Sequence, residues 1–193
     1  MEDTRNLVDE YKGLSNEEVF DRLAEKRSPL EVAIENVSHD FNAGTIVRNA
    51  NNFNVSRVHI VGRKKYNRRG AMCTDKYLEI VHWETIDAFI NDQKARKREI
   101  VAIENNVKSR GLKSDINNAA HDEVLTSKSI EKKKFKAETT LVFGGESDGI
   151  SDELLKKCDD IREISSFGST RSVNVGVASG IAMYEWAKQN LEK

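Results

Sequence analysis

Short apolar runs alternate along this chain with stretches of helical periodicity, and that alternation restricts the fold more than any other feature. Val32–Val37, Val58–Val61, Ile100–Ile103, Leu141–Phe143 and Ile161–Ile164 read as buried strands. Between them, Ala43, Ile46, Val47, Ala50 and Phe53 fall on one helical stripe. Thr85 caps a second helix with Ile86, Phe89 and Ile90 facing inward, and Ser151 caps a third with Asp152 and Glu153 in its first turn. The pattern predicts an α/β fold built on an open, mostly parallel sheet with helices on both faces.

A chain of 193 residues suits one such domain with a short appendage. The appendage is residues 1–29: Ser15 and Glu18 have capping-box spacing, Leu14 and Val19 can staple the helix start, and Pro29 ends it. Residues 30–193 form the domain. Its last helix, about Val173 to Leu191, is apolar on nearly every side at its start and rich in Gly, Ala and Ser, so another backbone approaches it closely. A central helix and a subunit interface both satisfy that requirement. Residues 105–139 are polar, carry Lys132, Lys133, Lys134 and Lys136, and read as a flexible or substrate-facing excursion.

Several classes of function fall away on composition. Lys and Arg number 31 against 32 Asp and Glu, so overall charge names no partner. No apolar run approaches the roughly 20 residues needed to cross a bilayer, and the sequence MEDTRNLVDEYKG lacks the pattern of a secretory signal, which places the protein in the cytoplasm. Cys73 and Cys158 lie far apart and the four histidines are scattered, so neither a disulfide framework nor a metal site is expected.

Four constellations can carry chemistry. Gly144-Gly145-Glu146-Ser147-Asp148-Gly149 sits where a strand gives way to a capped helix, the place where open α/β sheets bind ligands; it lacks a P-loop ending, and no Gly-x-Gly-x-x-Gly follows a strand. Asn42 and Arg48 share the first long helix. Asn42 suits an N-cap, while Arg48 interrupts an apolar stretch and calls for an anion, whether a structural carboxylate or an RNA phosphate. Ser172 suits the N-cap of the last helix, and Asn174 beside it needs hydrogen-bond partners if buried, from a helix or a ligand. Arg63, Lys64, Lys65, Arg68 and Arg69 surround Tyr66, an electrostatic footprint for phosphates with one aromatic for stacking, or else a solvated loop. Lys94, Arg96, Lys97 and Arg98 read as a solvated helix end.

Three of these blocks, in this order, resemble the SpoU-TrmH branch of the SPOUT superfamily of RNA methyltransferases. NVSHDFNAGTIVRNANNFNVSRVHIVG is similar to the first family motif, with Asn42 and Arg48 at the matching asparagine and arginine. TLVFGGESDGISDELLKKCD is similar to the glycine-flanked glutamate motif, with Glu146 matching. ISSFGSTRSVNVGVASGIAMYEW carries Ser172 and Asn174 at the Ser-x-Asn element, with Gly168 four positions earlier. Ser165 and Ser166 stand where the family usually has Pro-Met, and Asn54 where a glycine is common.

The resemblance implies S-adenosylmethionine-dependent methylation of a ribose 2'-hydroxyl, with transfer RNA ahead of ribosomal RNA as substrate. It also implies a C-terminal deep trefoil knot and a homodimer packed through the first and last helices of the domain. Arg48 would act at the reaction centre, by gripping a phosphate or as a literal base, with Asn42, Glu146, Ser172 and Asn174 in support. Phe143, Gly144, Gly145, Glu146, Ile164, Ser166, Ser172 and Val173 would hold the cofactor, and Arg63, Lys64, Lys65, Arg68 and Arg69 the RNA. A non-catalytic RNA-binding protein on the same scaffold is the alternative, and a methyltransferase for a base or small molecule a second.

Overall fold

A computed structural model describes residues 3–36, 42–105, 107–115 and 124–191. Seven strands form one sheet: β1 (Ser28–Asn36), β2 (Val55–Gly62), β3 (Ile80–Trp83), β4 (Glu99–Ile103), β5 (Lys128–Ser129), β6 (Thr139–Phe143) and β7 (Asp160–Glu163). Their spatial order is β3-β2-β1-β6-β4-β7-β5, and every pairing is parallel. The helices are α1 (Asn16–Ala24), α2 (Asn42–Asn52), α3 (Ile86–Ala95), α4 (Asp152–Lys157) and α5 (Val175–Asn190). The expected α/β sheet is present. Val37 and the rest of residues 37–41, inside the first motif, lie outside the described residues, as do residues 106 and 116–123 of the polar excursion.

Alternate residues along each strand face opposite layers. Val32, Ile34, Val58, Ile60, Leu141 and Phe143 pack with Ile46, Val47, Met183 and Trp186 of α2 and α5. Ala33, Val61, Ala102, Val142 and Ile161 pack with Phe89, Ile90, Leu154 and Leu155 of α3 and α4. Both faces are therefore covered, as a parallel sheet requires. The two strands absent from the sequence reading are β3, whose residues are all half-buried at one edge, and the two-residue β5 at the other.

Three caps fall where the sequence puts them, whereas Asn42 is the first helical residue of α2 rather than its N-cap. Ser15 and Glu18 form a complete capping box, and Thr85 and Ser151 accept from Ala88 and Leu154. Pro29 does not end α1: the helix stops at Ala24, and Pro29 lies in the start of β1, where the register with β2 shifts between Ser28 and Glu31 and no ladder donor is missed. The appendage packs its own small cluster of Tyr11, Val19 and Tyr77 on the 3-10 turn Thr74–Tyr77. Asn54, with φ 44°, takes the left-handed conformation that explains a glycine's frequency there, and its amide donates to Leu23 O at 3.2 Å, tying α1 to the domain.

Two basic runs are structural. Arg96 grips the buried Glu31 carboxylate with contacts of 2.6 and 2.8 Å, Arg98 reaches it at 3.2 Å, and His59 lies 2.8 Å from it. Arg96 and Arg98 are thus not a solvated helix end, because a carboxylate buried in β1 needs their charge, whereas Lys94 and Lys97 are exposed as expected. Burial alone would raise the Glu31 carboxyl, but Arg96, His59 and Arg98 hold it down to about 2. In the second run Lys133 pairs with Asp160 and Lys136 with Glu99, at the amino ends of β7 and β4, while the buried Arg162 binds the carbonyls of Lys133 and Lys134. That run sits at the end of the sheet opposite its carboxyl edge.

Candidate active site

The strand order reverses around β1, β6 and β4, and ligands bind parallel sheets at the carboxyl edge of such a point. A cleft of about 270 Å³ opens there, between the loop after β6, the ends of β4 and β7, and the start of α5. The loop closes on itself through paired backbone bonds between Gly145 and Gly149 at 3.2 and 3.0 Å. Only glycine fits its two ends: a Cβ on Gly144 would lie 2.0 Å from Gly149 C, and one on Gly149, at φ 64°, would lie 2.4 Å from Glu104 Oε2.

Glu146 rides on this loop. One oxygen of its carboxylate accepts the Asn174 amide at 2.9 Å, the Asn42 amide at 3.2 Å and the Val175 N–H at 2.9 Å. Asn174 also donates to Asn42 Oδ1 at 2.9 Å. Three residues from three separate motifs therefore form one hydrogen-bonded group. Asn174, not Ser172, is the N-cap of α5: its oxygen accepts the Val177 N–H, and the helix begins at Val175. Ser172 lies just ahead, on the cleft wall.

The close backbone approach expected at α5 comes from α2 of the same chain. A Cβ on Gly176 would lie 2.8 Å from Thr45 Cγ2, and Asn49 donates to Gly176 O and Ser179 Oγ at 2.9 Å each. Gly176 and Ser179 are accounted for by this packing. Arg48 is exposed on α2 and has no hydrogen bond or ion pair among the described residues, so no structural carboxylate holds it.

Gly144, Gly145, Glu146, Ile164, Ser172 and Val173 all line the cleft. Phe143 does not: it is fully buried in the layer of α2 and α5, and Ser166 is exposed outside the lining. Sequence reasoning missed Glu104 and Asn105. Glu104 accepts the Ile150 N–H at 2.8 Å and so holds the glycine loop; burial raises its carboxyl, partly offset by that bond and by Arg110. Asn105 binds the carbonyls of Ile164 and Arg171 at 3.1 and 3.0 Å, pinning the segment that leads into α5. Their signal was their position, just past a buried strand's carboxyl end.

The lining suits S-adenosylmethionine in its chemistry. Ile103, Ile164, Val173 and Val175 offer apolar walls for a purine, and Glu104, Glu146 and Asp148 outnumber the one lining cation, Arg171, in a setting for a molecule that carries both a sulfonium and a carboxylate. Among the described residues no cluster of His, Cys, Asp or Glu suits a metal ion, and no helix is long and apolar enough to cross a membrane.

Fold and site together define an α/β protein of the RNA methylase class. The chain belongs to the SpoU rRNA methylase family, whose model matches residues 29–184. It is 28% identical over 182 residues to the 23S rRNA (guanosine-2'-O-)-methyltransferase RlmB of Vibrio vulnificus, covering 93% of this chain and 67% of that one, so it spans about two thirds of that relative. The TrmH/SpoU tRNA modifying enzyme of A. aeolicus superposes with a TM-score of 0.68 at 27% identity, over 90% of this chain and 83% of the other. The AdoMet-bound rRNA methyltransferase of Sinorhizobium meliloti shares the fold, with a TM-score of 0.68 at 21% identity over 88% and 61% of the two chains.

Proposed function

We propose that this protein is an S-adenosylmethionine-dependent RNA 2'-O-ribose methyltransferase acting in the cytoplasm, on transfer RNA first and ribosomal RNA second. The observation that carries the reading is the bonded group Asn42–Glu146–Asn174 at the edge of a cleft whose lining fits the cofactor. When bound, S-adenosylmethionine supplies a methyl group already activated for transfer. The chain's own task is then to align a ribose hydroxyl and manage its proton.

Glu146 and the two asparagines fix the relation between the glycine loop and the start of α5, so the cleft walls keep their spacing when RNA arrives. Among the described residues Arg48 has no partner to release, and its exposed planar fork can grip the phosphate beside the target ribose. That charge favours loss of the hydroxyl proton. Ser172 adds a hydroxyl at the wall, while Arg63, Lys64, Lys65, Arg68 and Arg69, all exposed, hold more distant phosphates.

The reading includes a trefoil knot, a homodimer, and residues 1–29 as an appendage to the domain. Supporting the knot, β6 inserts between β1 and β4, β7 lies beyond β4, and α5 then returns to α2. Supporting the dimer, Val173, Val177, Ile181 and Tyr184 leave an exposed apolar stripe on and just before α5.

The test is transfer of labelled methyl from S-adenosylmethionine into total transfer RNA and ribosomal RNA, followed by nucleoside mass spectrometry. Label in a 2'-O-methylnucleoside is expected. Cofactor binding without label in either pool would overturn the substrate assignment, and no cofactor binding would return the protein to a non-catalytic RNA binder.

A further inference from the structure

The basic loop after β2 is a built element rather than a solvated excursion. Its backbone is pressed onto α2 where neither side carries a side chain: a Cβ on Gly44 would lie 2.7 Å from Asn67 O, and one on Gly70 would lie 2.8 Å from Thr45 N. Beyond that contact, Met72 and Cys73 are consecutive left-handed residues, at φ 48° and 65°. Such conformations cost about 1 kcal/mol or more each and persist only where the surroundings fix them. Here the surroundings include the N-terminal appendage. Tyr77 is buried against Tyr11 and Val19, and its hydroxyl donates to Asn16 Oδ1 at 3.2 Å.

The fixed loop borders a second, open hollow of about 650 Å³, apart from the cleft. Tyr66, Leu78 and Ile80 provide its apolar surface, and all three pack on the main core. Lys64, Lys65 and Arg68 stand at it with their charges exposed. Asp75 also lines it, with only 5% of its side chain exposed and ion-paired to Arg68.

An aromatic side chain and an aliphatic floor beneath exposed cations match an unstacked nucleobase carried on a phosphodiester backbone. We propose that this hollow receives an extruded base of the RNA substrate, at a nucleotide other than the one methylated. Lys64 and Lys65 grip its flanking phosphates, while the Arg68–Asp75 ion pair borders the base and fixes that wall. The appendage, by propping the Thr74–Tyr77 wall, keeps the hollow open. The inference rests on the RNA-methyltransferase reading and gives the basic loop a role in choosing the substrate.

The probe is a fluorescein-labelled 12-nucleotide oligoribonucleotide of mixed sequence, compared with an abasic oligomer of the same length. Base–aromatic stacking predicts that the wild-type chain prefers the base-bearing oligomer by about 10-fold or more. Ile80→Trp, at a half-buried edge-strand position, sets a bulky indole on the apolar floor where the base would lie. It should bring the preference to within about 2-fold and leave the salt dependence of binding unchanged, whereas Lys64→Glu with Lys65→Glu should lower the salt slope. A 4-thiouridine oligomer photo-crosslinked to the wild-type chain and mapped by mass spectrometry should mark residues 64–80. An undiminished base preference in folded Ile80→Trp, or crosslinks confined to other segments, overturns the proposal. Methyl transfer into transfer RNA and ribosomal RNA is followed in parallel: its absence in the wild-type chain overturns the underlying reading, while transfer with either of those two results overturns the hollow alone.

Discussion

Asn174 starts α5 and holds Glu146 with the same side chain, its oxygen accepting the Val177 N–H at 3.3 Å while its nitrogen donates to the carboxylate at 2.9 Å. Removing it thus has two separable consequences. Asn174→Ala should cost about 1 kcal/mol of stability as a lost cap and lower methyl transfer at least 10-fold. Asn174→Asp keeps the cap oxygen but sets a carboxylate against Glu146 and Asn42 Oδ1, so α5 should still start at Val175 while transfer falls as far as in the alanine variant. Thermal unfolding and labelled-methyl transfer measured together check this, and full activity in Asn174→Asp would remove Glu146 from the site.

Arg48 gives the reverse separation. It is exposed and unpaired among the described residues, so Arg48→Ala should leave the unfolding temperature unchanged to within about 0.5 kcal/mol of stability. If it grips phosphate at the reaction centre, transfer should fall about 100-fold or more while S-adenosylmethionine affinity, measured by calorimetry, stays constant. Arg48→Lys should restore little, because a point charge does not reproduce the planar fork. Retained turnover in the alanine variant removes Arg48 from the mechanism.

The sequence made the central layers legible because strands buried on both faces read as apolar runs, and because Ser15, Thr85 and Ser151 cap by local hydrogen bonds. It also put Asn42, Glu146 and Asn174 on the same page, through a resemblance across three motifs. Pairing over long separations was out of reach. Nothing near Glu31 announces that Arg96, 65 positions away, will neutralise it. The same holds for Glu104, whose role depends on a glycine loop 46 residues on. β3 and β5 escaped because edge strands of four and two residues bury too little to impose a period. Asn54, which stood out as a departure from glycine, became explicable only with its left-handed backbone in view.

Glu31 makes acid stability a measurable consequence. Its folded-state value, about 2, lies below the ordinary 4.5, so the unfolded chain binds the proton more readily and stability is lost as pH falls through that window. Burial lowers His59 from 6.5, against the opposing pull of Glu31, and acts in the same sense from higher pH. The unfolding temperature should decline gently below pH 6.5 and steeply below 4.5, with a loss on the order of 3 kcal/mol attributable to Glu31. Glu31→Gln should be less stable at neutral pH and flatten the steep part of a pH series followed by circular dichroism. A profile equally steep in that variant would assign acid unfolding to other carboxylates.

The proposed dimer can be separated from the internal packing of α5, because the two use different faces of the helix. Gly176 and Ser179 face α2 of their own chain, so enlarging them tests packing and not assembly: Gly176→Val drives a side chain into Thr45 and should destabilise the monomer by about 1 to 3 kcal/mol. Val177, Ile181 and Tyr184 point the other way, exposed at helical spacing. If a second copy covers them, Ile181→Asp with Tyr184→Asp should convert a dimer into a folded monomer in sedimentation at about 10 μM. Solubility should rise, because an apolar patch is replaced by charge. A wild-type chain that sediments as a monomer at that concentration would refute the dimer directly. A dimer that survives both aspartates would move the interface off this stripe.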